Sequence, residues 1–183
     1  MRNRFIACIA TAVSCAIAPA AAQQAGQMPA PPRPGADHAR LGFFVGDWTT
    51  QSEIKPGPWG PGTKLSGREK CTWMEGRFFV LCNTELEGEF GKLSGHGVMG
   101  FDLGGRRYMR AGFHSDGQAV LETGEVAGAT WTFTSERSAG NMTIRNRVVF
   151  VEKPPGRYDF RIEVSQDGTR WETLAEGTAT RRR

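Results

Sequence analysis

The sequence predicts an all-β domain: an up-and-down antiparallel meander closing into a barrel of roughly eight to ten strands, behind one short N-terminal helix. Three observations carry that prediction. Apolar and polar side chains alternate with period two over most of residues 47–181, as where Tyr158, Phe160, Ile162 and Val164 oppose Asp159, Arg161 and Glu163. Turn residues interrupt the alternation at intervals of roughly 8 to 12 residues, the spacing of a barrel or sandwich. The connections are short and glycine-bearing, so neighbours in sequence become neighbours in space, and joining the last strand to the first removes the edges an open sheet exposes. A two-layer sandwich would alternate in the same way and is the competing architecture.

The domain begins only after a segment to be set aside. In residues 1–22, Arg2 and Arg4 precede an apolar run from Phe5 to Ala18, and Ala20-Ala21-Ala22 supply the small residues a signal peptidase accepts. The run is too short and alanine-rich for a membrane span, which needs roughly 20 strongly apolar residues. The expectation is a periplasmic or secreted protein cleaved after Ala22. A lipoprotein at Cys15 is the alternative, although Ala12-Val13-Ser14-Cys15 lacks the large aliphatic residue that such a signal carries.

Residues 23–37 read as a linker, with four prolines between Gln23 and Gly35 and no apolar period. Residues 38–183 are then one barrel domain, long enough for a sizeable core. The formal charge of +4 falls to +2 once Arg2 and Arg4 leave. Apart from the Arg181-Arg182-Arg183 tail the positives are scattered among acids, so no basic stripe forms and nucleic acid is not an expected partner. No pattern in the sequence specifies an oligomeric state.

Ala36 to Phe44 reads as the helix, with Asp37 placed to cap it and Gly46 to end it. Strands are expected near 47–54, 63–75, 78–87, 93–102, 106–114, 119–126, 129–136, 141–153, 157–166 and 170–181. Turns such as Gly104-Gly105, Asp116-Gly117, Pro154-Pro155-Gly156 and Asp167-Gly168 separate them. If Gly76-Arg77 is a two-residue hairpin loop, residue 75 faces 78 and Cys71 faces Cys82. In an oxidising compartment that pair is a candidate disulfide, contributing about 3 kcal/mol in the chain-entropy model. Two reduced, buried thiols are the alternative. This register makes 71/82 a hydrogen-bonded pair, the kind whose Cβ atoms lie farther apart.

Period two then sorts the side chains. Met142, Ile144, Val148 and Phe150 are read as inward, with Trp131 and Phe133; Met109, Ala111 and Phe113 are read as inward, and Arg110 and His114 as outward. Gly67, Gly95, Gly97, Ala111, Gly124 and Ala175 lie on or near the inward set and leave room inside. Trp73, Trp131, Phe133, Phe150 and Phe160 either line that room or fill it. Two polar residues, Asn146 and Glu69, share the inward set. A buried polar group without a partner costs about 1–3 kcal/mol, so each calls for a protein partner, a water or a ligand. Asn146, Glu69, Trp73, Trp131 and Tyr158 are the candidate ligand contacts, and a small apolar molecule is the candidate ligand.

Catalytic signatures are missing from the sequence. There is no G-x-S-x-G elbow, Walker loop or Rossmann glycine pattern, and His38, His96 and His114 show neither H-x-H nor HExxH spacing. Glu85 and Glu87, like Glu122 and Glu125, read as surface acids. No catalytic residue, metal or cofactor is assigned. A binding protein leads; an envelope interaction module using an apolar patch on Phe79 and Leu81, or a small barrel enzyme, are the alternatives.

Several of these features recur in a fixed order. Gly46-Asp47-Trp48 is followed by Trp73 through Glu75-Gly76-Arg77-Phe78, then by Gly95-His96-Gly97-Val98-Met99-Gly100-Phe101-Asp102 and Tyr108. Gly124, the Ser165-Gln166-Asp167-Gly168 turn and the closing arginines complete the series. Over about residues 40–183 the chain resembles the bacterial domain-of-unknown-function 1579 family, a lipocalin-like group found in exported proteins. The resemblance implies the barrel and no established reaction. It also implies that Trp48 packs across the barrel floor beneath Arg181 or Arg182, a cation–indole contact of about 0.5–2 kcal/mol. A haem-binding lipocalin-like barrel needs one well-placed histidine and is a further alternative; His96 or His114 could nominally serve, although both are read as outward. Protein recovered from its own host is expected to begin at Gln23; an intact mass that retains residues 1–22, or that carries lipid on Cys15, would contradict soluble export.

Overall fold

The computed structural model describes residues 31–58 and 60–182; the expected export segment with Cys8 and Cys15, and the expected linker up to residue 30, lie outside the described residues. Ten strands follow one another: β1 (Gly46–Ile54), β2 (Thr63–Trp73), β3 (Phe79–Gly88), β4 (Gly91–Asp102), β5 (Arg107–His114), β6 (Ala119–Ala127), β7 (Thr130–Ala139), β8 (Met142–Lys153), β9 (Arg157–Ser165) and β10 (Glu172–Arg181). Each pairs antiparallel with the next, and β1 also pairs with β10, so the meander closes into one barrel as expected and the sandwich is excluded. The closing seam runs from Trp48 opposite Arg181 to Ile54 opposite Ala175. Tight reversals depend on glycines in the left-handed region, such as Gly128 (φ 59°) in the β6–β7 loop.

One end of the barrel is plugged by the segment before β1. Helix α1 (Ala36–Arg40) runs into a 3₁₀ turn (Leu41–Phe43), burying His38 and Leu41, with Phe44 buried just beyond. Gly35, not Asp37, occupies the N-cap position, and Asp37 lies in the first turn. The Gly35 N–H donates to His38 Nδ1 at 3.1 Å, and glycine brings no side-chain oxygen to the first-turn N–H groups. Tyr108 fastens the helix from the barrel wall, its hydroxyl donating to the Asp37 carbonyl at 3.0 Å.

Trp48 is fully buried on that floor. Its indole N–H donates to the Phe44 carbonyl at 2.7 Å, and its ring meets Tyr158 edge-on at 4.9 Å. The Arg181 guanidinium lies 4.3 Å from the Trp48 ring centre and donates to the carbonyls of Phe43, at 2.7 Å, and Val45. A side chain at Gly46 (φ 139°) would collide with that guanidinium. Of the two arginines considered, Arg181 closes the floor and Arg182 points to solvent.

Cys71 and Cys82 face each other and form a disulfide with Cα atoms 4.1 Å apart. The register is the expected one; its hydrogen-bonding phase is not. The hairpin closes where the Met74 N–H donates to Phe79 O at 2.9 Å, leaving residues 75–78 as a four-residue loop. Alternation back along the strands then puts 71/82 in the close, non-hydrogen-bonded class, where facing side chains approach nearest.

Two orientation readings are corrected. On β5 it is Tyr108, Arg110, Gly112 and His114 that share a face with the inward Met99 and Phe101, while Met109 and Phe113 are exposed on the outer wall and Ala111 shares their face. Period two identifies two faces without saying which is inside, and the partner strands decide. Met142 is also exposed, because it starts β8 beyond the last inward layer. Replacing Arg181 with Ala should lower stability by about 2–4 kcal/mol, read as a lower urea midpoint with a red-shifted tryptophan emission, and Arg182→Ala should change neither.

Candidate functional site

The helical end of the barrel is dry, and the opposite end is mixed: Ile144, Val164 and Ala175 are buried on its inner face, while other inward side chains there are only half-buried. Phe44, Trp48, Trp131 and Tyr158 are buried at the helical end. Toward the other end Leu65, Leu86, Leu93, Val120 and His114 point inward by pairing yet are only half-buried, as are Phe150, Phe160 and Ile162. Water therefore reaches side chains that face the axis. Gly67, Gly95, Gly97, Gly124 and Gly177 contribute no side chain to this wall, and at Gly97 a Cβ would meet nothing closer than 3.6 Å.

A polar layer sits between floor and opening. Glu69 accepts the Tyr158 hydroxyl at 3.1 Å on one oxygen and the Thr84 hydroxyl at 3.0 Å on the other. Burial, then the Glu69 carboxylate beside it, push the Tyr158 hydroxyl well above the ordinary tyrosine range, so it is a neutral donor. Arg110 pairs with Glu122, whose side chain is only 3% exposed, and its guanidinium lies 5.8 Å from the Phe150 ring centre. Thr50, on the same inner face, is buried, and its hydroxyl has no partner among the described residues.

The candidate contacts divide among these regions. Glu69 and Tyr158 are brought together. Asn146 does face inward, but its neighbours are Ser135 and Val164, near the opening and six residues along β8 from Glu152. Trp131 belongs to the floor: it is fully buried, its N–H donates to Glu152 at 2.7 Å, and Arg40 lies 5.5 Å from its ring centre. Trp73 is half-buried at the same end, with Arg77 5.1 Å from its ring centre.

Arg110, Glu122, Thr50 and Thr84 carry no signal in period two. Glu122 is not the surface acid its composition implied: it lies opposite Arg110 and is buried. Pairing Tyr108 with both Phe101 and Gly124 is what turns Arg110 inward, and that register is a tertiary fact. Glu69, Cys71 and Cys82 bring potential ligand atoms within 4.8 Å of one another, yet disulfide sulfurs are not thiolates and cannot hold a metal. Two concavities on the outer wall, one beside Arg68, Glu85, Glu87 and Lys92 and one beside Arg106, Arg107 and Glu125, are lined by charges of both signs.

The raised Tyr158 hydroxyl has a stability consequence. An unfolded tyrosine ionises near about pH 10 while the folded one stays protonated, so this contribution is complete below about pH 10 and drains as pH rises above it. Tyr108 acts in the same direction, chiefly through burial. Tyr158→Phe should make the alkaline fall in unfolding free energy visibly shallower, and an unchanged slope would contradict the buried-donor geometry.

Comparisons agree with the architecture. The family described as "Protein of unknown function (DUF1579)" matches residues 33–181. No curated protein matches the chain. The crystal structure of Rv2717c from M. tuberculosis is similar at a TM-score of 0.57 and 12% identity, covering 81% of this chain and 99% of that one. A de novo designed fluorescence-activating beta barrel is similar at a TM-score of 0.45 and 12% identity, covering 78% of this chain and 96% of that one. At 12% identity the likeness to the M. tuberculosis structure is one of fold. With the matched stretch spanning nearly all of the ten-stranded domain, the chain belongs to the DUF1579 family of proteins of unknown function.

Proposed function

We propose that the protein binds a small, largely apolar molecule in the upper half of its barrel, acting as an exported carrier or sensor rather than a catalyst. The observation that carries this reading is the incomplete filling of the barrel: Leu65, Leu86, Leu93, Phe160 and Ile162 face the axis and remain water-accessible above a sealed floor. Apolar walls with a few convergent polar groups are the usual make-up of a small-molecule site. Burying such surface against a ligand is worth about 25 cal/mol per Å². The polar layer supports orientation rather than turnover, since Tyr158 is a neutral donor and Arg110 is paired with Glu122.

A second reading, docking of a protein partner on the outer wall, draws on Met109, Phe113 and Leu121, which are 37%, 54% and 72% exposed. The two separate experimentally. Gly97→Leu adds a side chain to the inner wall where the backbone leaves ordinary van der Waals room. It should reduce the binding of Nile red, a neutral apolar fluorophore, by roughly tenfold or more while leaving the thermal midpoint unchanged or higher. Equal binding by the two proteins would remove the barrel interior as the site. Native mass spectrometry of protein isolated from its host then tells a co-purifying small molecule from a protein partner.

A further inference from the structure

Resting on the interior-binding reading, we propose that the ligand enters amine first, with Glu69 and Thr50 forming a seat for an ammonium or amine group while its apolar body lies against the aromatic wall. The charges inside the barrel lead to this. Arg110 and Glu122 neutralise each other. Glu69 is left as a carboxylate held only by two neutral hydroxyls, and among the described residues no Lys, Arg or His lies within salt-bridge distance of it. A carboxylate has about four lone-pair sites, and the protein uses two of them here. An incoming donor therefore finds acceptor capacity that the fold leaves unused.

Thr50 is the independent sign. It is 6% exposed, and its hydroxyl has no partner among the described residues. Thr50 faces Gly67 and Trp48 faces Glu69 on the same ladder, so Thr50 and Glu69 are diagonal neighbours on the inner face. A buried hydroxyl without a partner is costly, and a donor bound at Glu69 is placed to satisfy it. Around them Phe150 and Tyr158 stand 5.7 Å apart, and Tyr158 and Phe160 6.3 Å apart, ring centre to ring centre; such rings accept either a cation or an alkyl chain. An anion is disfavoured, because Glu69 and Glu122 are both present and the Arg110 charge is already engaged.

The test uses three ligands of one length, octylamine, 1-octanol and octanoate, each displacing Nile red from the full domain at about pH 7, where the amine is protonated and the acid ionised. The expected order is octylamine first, roughly tenfold tighter than octanol, with octanoate weakest. Glu69→Gln, which keeps the shape and can meet one hydroxyl through its oxygen and the other by donating its N–H, should bring octylamine close to octanol and leave octanol unchanged. Thr50→Val should weaken octylamine alone and by less, and it tests the seat independently should the Glu69 variant fold poorly. Octanoate binding as tightly as octylamine, or an amine preference that survives both substitutions, would overturn the amine seat while leaving interior binding intact. Failure of Nile red and all three ligands to bind the unaltered protein would overturn interior binding, and the seat with it.

Discussion

The barrel depends on one contact, the Arg181 guanidinium over the Trp48 indole. That side chain sits on the last strand, covers the first strand's tryptophan, and donates to two carbonyls of the segment that plugs the floor. One group thus ties the last strand to the first strand and to the plug segment just before it, 136 residues away at Val45. Its donors are directed and its planar face stacks, which a lysine could not reproduce. Glycine at 46 is a direct consequence, since the guanidinium occupies the place a side chain there would need. A meander gains its full stability only when its ends meet, and this is where they meet.

Above that seam the barrel changes character. The floor is aromatic and dry, packed edge-to-face by Phe44, Trp48, Trp131 and Tyr158. The next layer is polar, and it is uneven: one acid is matched by arginine and another only by hydroxyls. Burying Glu122 is tolerable because Arg110 lies opposite it, and removing either partner alone would strand a charge. The disulfide stands beside Glu69 and stiffens the β2–β3 ribbon on which that acid is carried. Dry floor, polar layer and half-buried rim together give the barrel a direction.

How much of this was legible follows from what period two can report. Strand positions, turns and the facing of Cys71 and Cys82 are local or nearly local, and the structure reproduces them within a few residues. The orientation of β5 was not legible, because Met109, Ala111 and Phe113 alternate as cleanly as any core strand. Only the pairing of Tyr108 with Phe101 on one side and Gly124 on the other turns them out and brings Arg110 in. Of the candidate contacts, Glu69 and Tyr158 meet although they are 89 residues apart, while Asn146 stays near the opening.

Sequence alone therefore determined the class of fold, the strand order and the cysteine register, because alternation, turn chemistry and short loops act over a few residues. Tertiary structure decided which face of each strand looks inward, which acids are paired, and which end is closed. Those outcomes depend on neighbours supplied by distant strands, and on the one arginine that brings the two ends of the sheet together.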